Sequence, residues 1–106
     1  MNQNQLAATL LATAVYFAGD ALALDQQTLY TQGLAATCAN CHGTQGKGIK
    51  DGSVPKLAGL KSDYLIEQMQ AFKSGARPAT IMHQLAKGYS EEQIRLMAAY
   101  FASQQP

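Results

Sequence analysis

The chain has 106 residues, 47% hydrophobic and 14% charged, with a formal net charge of +1. That is enough for one globular domain, and a charge so near zero gives no electrostatic basis for binding nucleic acid or an anionic membrane surface. Two cysteines are too few for a disulfide-dense scaffold, and no apolar run reaches the roughly 18–20 residues of a membrane span.

The first element is an apolar stretch, Leu6 to Ala18, followed by Ala21-Leu22-Ala23. Its length suits the core of a secretory signal, and the A-x-A triplet is the small-residue pattern that precedes cleavage. Its apolar residues run around all sides, unlike the single stripe of an amphipathic helix. The expectation is therefore export to the periplasm, with residues 1–23 a signal peptide cleaved after Ala23 and residues 24–106 a single domain. The opening segment MNQNQ lacks the usual Lys or Arg. Removing these 23 residues takes away one acid, Asp20, and raises the formal charge to +2. A chain this short has a marginal core and calls for a staple, which a covalent cofactor would supply.

No segment shows sustained period-2 alternation, so an all-α fold is expected. A first helix is read from about Gln26 to Asn40, with Asp25 as N-cap and Leu29, Gly33 and Thr37 on one face. A second is read from Asp63 to Ser74, with Ser62 as N-cap, Leu65, Met69 and Phe72 in its stripe and Gly75 as its stop. A third runs from Glu91 to about Ser103 behind a Ser90–Gln93 capping box, with Ile94, Met97, Ala98 and Phe101 facing inward. His42 to Lys61 reads as a long glycine-rich loop, and Ala76 to Tyr89 as a second, non-helical connection.

Cys38-Ala39-Asn40-Cys41-His42 is the C-x-x-C-H pattern of haem c attachment. Two thiols one helical turn apart can add to the two vinyl groups of one haem, and the adjacent His42 then lies under the iron as an axial ligand. A thioredoxin-type motif needs a βαβ setting that is not visible, and a zinc site needs two spaced ligand pairs. The second axial ligand has four candidates: Met69, Met82, Met97 and His83. Met69 and Met97 fall on helical stripes where methionine fills cores. Met82 falls in a connection forty residues beyond His42, where a thioether is free to lie over the iron, and is favoured for that reason. With both axial positions filled, the expected chemistry is outer-sphere electron transfer rather than catalysis.

On these residues the chain resembles class I cytochrome c, three main helices and long loops around one covalent haem. The resemblance implies that the Pro55 carbonyl in Val54-Pro55-Lys56-Leu57 accepts a hydrogen bond from the His42 ring. It also implies that Gly33 lets Tyr100 or Phe101 approach the first helix. The run from Pro55 to Leu60 and from Asp63 to Gly75 is similar to cytochrome c4 domains. The run Arg77-Pro78-Ala79-Thr80-Ile81-Met82, with Leu85 to Tyr89, is similar to the one-haem cytochrome subunit of flavocytochrome c sulfide dehydrogenase, in which the matching methionine is the axial ligand. That resemblance implies an FAD-containing flavoprotein partner that oxidises sulfide, and a further cytochrome as downstream acceptor. No G-x-G-x-x-G is present here to bind FAD. The alternatives are a free one-haem shuttle of the c5 or c553 type, and a haem enzyme or gas sensor with a labile sixth ligand. Lys47, Lys50, Lys56, Lys61 and Lys87 are candidates for a docking ring or for plain solvated surface. Arg77 is a candidate partner for a haem propionate, and Tyr64, Leu65, Met69 and Phe72 for the pocket wall.

Overall fold

The computed structural model describes residues 2–3 and 26–106. The apolar stretch Leu6–Ala18, the cleavage site after Ala23 and the Asp25 cap lie outside the described residues. Internal contacts divide the chain into two units, Met1–Tyr30 and Thr31–Pro106, and the second carries the cysteine motif.

The described residues contain helices and no strand. Residues 26–36 are helical (α1). A turn at Thr37 and Cys38 then leads into one helical turn, α2 (Ala39–His42), and a 3-10 turn, Thr44–Gly46. The remaining helices are α3 (Ser62–Ser74), α4 (Met82–Lys87) and α5 (Glu91–Ser103). No described helix is long and apolar enough to cross a membrane.

Three sequence expectations need adjusting. The first helix breaks at Thr37 instead of running to Asn40, because the Thr37 hydroxyl bonds the Leu34 carbonyl at 2.7 Å and competes with the helical ladder. The cap of α3 is Lys61, and Ser62 is its first residue. The connection expected to be non-helical contains α4, whose first residue is Met82. Its six residues are too few to show a hydrophobic period, and packing on α3 supplies what propensity does not. The start of α5 agrees with the sequence in detail. Ser90 Oγ accepts from Gln93 N at 3.1 Å, and Gln93 Oε1 accepts from Ser90 N at 2.9 Å.

The core joins Ala35 and Leu65 to the inward face of α5: Ile94, Met97, Ala98 and Phe101. Ile94 is 1% exposed. The face read from Leu29 is not buried, since Leu29 and Tyr30 are at least half exposed. Leu34, which the helical spacing puts alongside that face, supplies the contact with the core together with Ala35 and Cys38.

The close glycine approach also lies elsewhere than expected. A Cβ on Gly33 would meet nothing within 4 Å, whereas one on Gly46 would sit 2.8 Å from the Phe101 ring and 2.9 Å from Leu57 Cβ. Gly46 has φ +72°, a left-handed conformation open to glycine at little cost. It also accepts backbone bonds from Leu57 and Ala58 at 2.8 and 3.0 Å, which folds the glycine-rich loop back onto α5.

A polar cluster ties α3 to the start of α5. Lys73 Nζ donates to the Tyr89 carbonyl at 2.6 Å and lies 3.4 Å from Glu91 Oε1. Gln70 Nε2 donates to Glu91 Oε2 at 3.0 Å. The Gln70 amide foremost, with Lys73 adding to it, holds the Glu91 carboxyl below its ordinary value of 4.5.

Three predictions follow from these contacts. Gly33→Ala removes backbone freedom from the unfolded chain at a helical site with open space, and should stabilise the protein by about 0.5–1 kcal/mol. Gly46→Ala meets both a strained φ and the Phe101 ring, and should cost about 2 kcal/mol or more; denaturant titration of the purified protein reads both. A carboxylate with a depressed folded pKa contributes stability above its unfolded pKa and loses it as pH falls through the folded value. Glu91→Gln should therefore lower the thermal midpoint at pH 7, and the two proteins should converge as pH drops from about 4.5.

Candidate functional site

The site is built on the single turn α2. Cys38 precedes the turn and is half-buried against the core, and Cys41 within it is exposed. Burial pushes the Cys38 thiol up; the Thr37 hydroxyl opposes this and the neighbouring Cys41 adds to it. His42 ends the turn, its backbone N–H donating to Cys38 O at 2.9 Å.

The chain then reverses. Gly43 has φ +82° and ψ 160°, and a Cβ there would lie 2.1 Å from Gly48 O. Only glycine admits this approach, which lets Gly48 N reach the His42 carbonyl at 2.7 Å. The returning loop brings Pro55 O to 2.7 Å from His42 Nδ1. A carbonyl only accepts, so Nδ1 carries the hydrogen and the Nε2 lone pair is left for a metal.

Beside Cys38 lies an apolar cleft whose other walls are Leu65, Met69, Ile94, Met97, Ala98 and Phe101. An imidazole aimed by a carbonyl, two thiols one turn apart and an adjoining apolar cleft fit a covalently attached metalloporphyrin.

The other sequence candidates distribute as follows. Leu65 and Met69 line the cleft, whereas Tyr64 is 46% exposed and is not part of its wall. Phe72 lies under the Arg77 guanidinium, 4.7 Å from its ring centroid, and Arg77 also donates to Gln68 Oε1 at 2.5 Å. Arg77 is thus engaged at the end of α3. Met69 and Met97 belong to the core or pack on it, and Met82 lies outside that cluster, half-buried at the start of α4. His83 is half-buried, and its Nδ1 is buried with no hydrogen-bond partner among the described residues. Lys47, Lys50, Lys56, Lys61 and Lys87 are all exposed, and the Lys56 stem packs over Gly48.

Two features escaped the sequence reading. Tyr89 contacts Thr37, 52 residues away, at 2.6 Å; no periodicity signals such a pair. Gly46 takes the close-packing role assigned to Gly33, and its only local signal is its place among the loop glycines.

The sequence matches the family described as "Cytochrome c" over residues 27–105. It is 38% identical over 90 residues to the thiosulfate dehydrogenase electron acceptor of Stutzerimonas stutzeri, covering 81% of this chain and 42% of that protein. It is 39% identical over 70 residues to the cytochrome subunit of sulfide dehydrogenase of Chlorobaculum tepidum, covering 66% and 62%. The chain thus spans about half the length of these curated relatives. A solved structure of Acidithiobacillus ferrooxidans cytochrome c4 superposes with a TM-score of 0.59 at 41% identity, covering 62% of this chain and 37% of that one. On the extent of the family match, and with the helical fold and C-x-x-C-H turn already described, this chain belongs to the cytochrome c family.

Proposed function

We propose that this chain is an exported, one-haem electron carrier that accepts electrons from a dehydrogenase of a reduced inorganic sulfur compound, as the haem subunit of a sulfide dehydrogenase. The family implies covalent haem c, and Cys38 and Cys41 are the only thiols in the chain. In this reading they would form the two thioethers, and His42 and Met82 would hold the iron. A haem so held supplies one reversible electron transfer between ferric and ferrous iron.

The observation that carries the reading is the His42–Pro55 hydrogen bond, 2.7 Å long. It aims Nε2 and raises the basicity of the ring, as a carbonyl partner does for ligating histidines. Met82 is supported by its place outside the core cluster, unlike Met69 and Met97. A methionine ligand favours ferrous iron relative to histidine and raises the potential. With His42 and Met82 both holding the iron, no position would be left for a substrate, and for that reason an electron carrier is favoured over an enzyme or gas sensor.

The sulfur-dehydrogenase role rests on the relatives and on the resemblance through Arg77–Met82. The partner in this reading is an FAD-containing flavoprotein that performs the sulfide chemistry, and a further cytochrome takes the electrons onward. Export to the periplasm rests on the Leu6–Ala18 and Ala21–Ala23 pattern. A second reading has a specific observation behind it: the Stutzerimonas relative is named a thiosulfate dehydrogenase electron acceptor, and in that reading this chain would be a free electron shuttle without a flavoprotein.

Two tests follow. Met82→Ala in the haem-loaded protein should open a coordination site, so that the reduced protein binds carbon monoxide readily at neutral pH; an unchanged spectrum and no new binding would remove Met82 as ligand. Size-exclusion chromatography of native extract, read for haem and flavin together, should show both in one peak well above the mass of the single chain, with sulfide reducing the haem. A small flavin-free haem protein reduced only when thiosulfate dehydrogenase and thiosulfate are supplied would select the second reading.

A further inference from the structure

The segment that follows Met82 is tied directly to the turn that precedes the cysteines. Tyr89 lies between the end of α4 and the Ser90 cap of α5. Its backbone is held on one side by Lys73, whose Nζ donates to the Tyr89 carbonyl at 2.6 Å. Its hydroxyl lies 2.6 Å from Thr37 Oγ1. The Thr37 hydroxyl has one hydrogen, and it is used on the Leu34 carbonyl at 2.7 Å. The Tyr89 hydroxyl is therefore the donor and Thr37 the acceptor. Thr37 is bonded in sequence to Cys38, the first attachment residue.

This contact spans the two parts of the chain that must hold one group between them. Cys38, Cys41 and His42 belong to the α2 side, and Met82 opens α4. α4 packs on α3, and Lys73 on α3 anchors Tyr89, so α3, α4 and Tyr89 are linked as one body. The Tyr89–Thr37 bond fastens that body to the cysteine turn.

We propose that Tyr89 is a positioning residue: its hydroxyl, bonded to Thr37, latches the α4 side to the cysteine turn and keeps Met82 within reach of the iron. The inference rests on the reading of Met82 as the axial ligand. Removing the latch lets Met82 leave more often, and an added ligand then gains access more often. Both residues reach the surface, so water competes for the bond and the effect is modest.

The test uses haem-loaded protein and follows the rate at which carbon monoxide displaces the sixth ligand of the reduced form, by stopped-flow absorbance. Tyr89→Phe and Thr37→Val each delete one hydroxyl and keep the shape. Each should speed displacement by roughly threefold to tenfold, as loss of one hydrogen bond implies. The double variant should be no faster than the faster single, because both remove the same bond. Leu60→Val, which trims a residue packed on the core and has no side-chain group that could take part in the bond, should leave the rate unchanged. An unchanged rate in Tyr89→Phe, multiplying effects in the double variant, or equal acceleration in Leu60→Val would each overturn the latch. Met82→Ala separates the two readings. Rapid carbon monoxide binding there, with a wild-type rate in Tyr89→Phe, removes the latch alone; no change there removes the ligand assignment and the latch with it.

Discussion

The hydrogen bond from His42 Nδ1 to the Pro55 carbonyl is the contact on which the site depends. It joins the last residue of a four-residue helical turn to a loop residue thirteen positions on. A turn that short has no stability of its own. Gly43 lets the chain reverse tightly enough for Gly48 to bond the His42 carbonyl, and Gly46 takes the bonds of Leu57 and Ala58. The loop thus aims the imidazole and is itself held down on Phe101 of α5. The His42 ring and the core that stabilises the domain are joined through a few backbone bonds and one aromatic contact.

The same economy explains the shape of the core. The buried apolar side chains come mainly from α5, with Leu65 of α3 and Ala35 of α1. Several of them also wall the cleft beside Cys38. In a chain of this size the core is small, and the same side chains serve the core and the cleft. The methionines divide accordingly: Met97 is buried in the core and Met69 packs on it, while Met82 stands apart on the short α4.

Polar contacts at the rim supply what the small core does not. Gln70, Lys73 and Glu91 tie α3 to α5, and Tyr89 extends the tie to Thr37. Exposed pairs of this kind are individually weak. Here they share partners, so their value lies in fixing how the helices sit around the cysteine turn.

The sequence by itself determined the helices α3 and α5, the capping box at Ser90 and the C-x-x-C-H motif. The first two are local: a 3.6-residue period and a cap are complete within one segment, and so is a five-residue motif. The Pro55 contact came through a family resemblance rather than from spacing. Tertiary structure decided the rest. α4 exists because α3 receives it, and six residues are too short to announce a helix. Gly46, not Gly33, meets Phe101, because which glycine is crowded depends on how a loop folds over a distant helix. The Nδ1 atom of His83 is buried for the same reason, and Tyr89 finds Thr37 only when segments 52 residues apart are brought together. These are non-local contacts, and no pattern within a single segment records them.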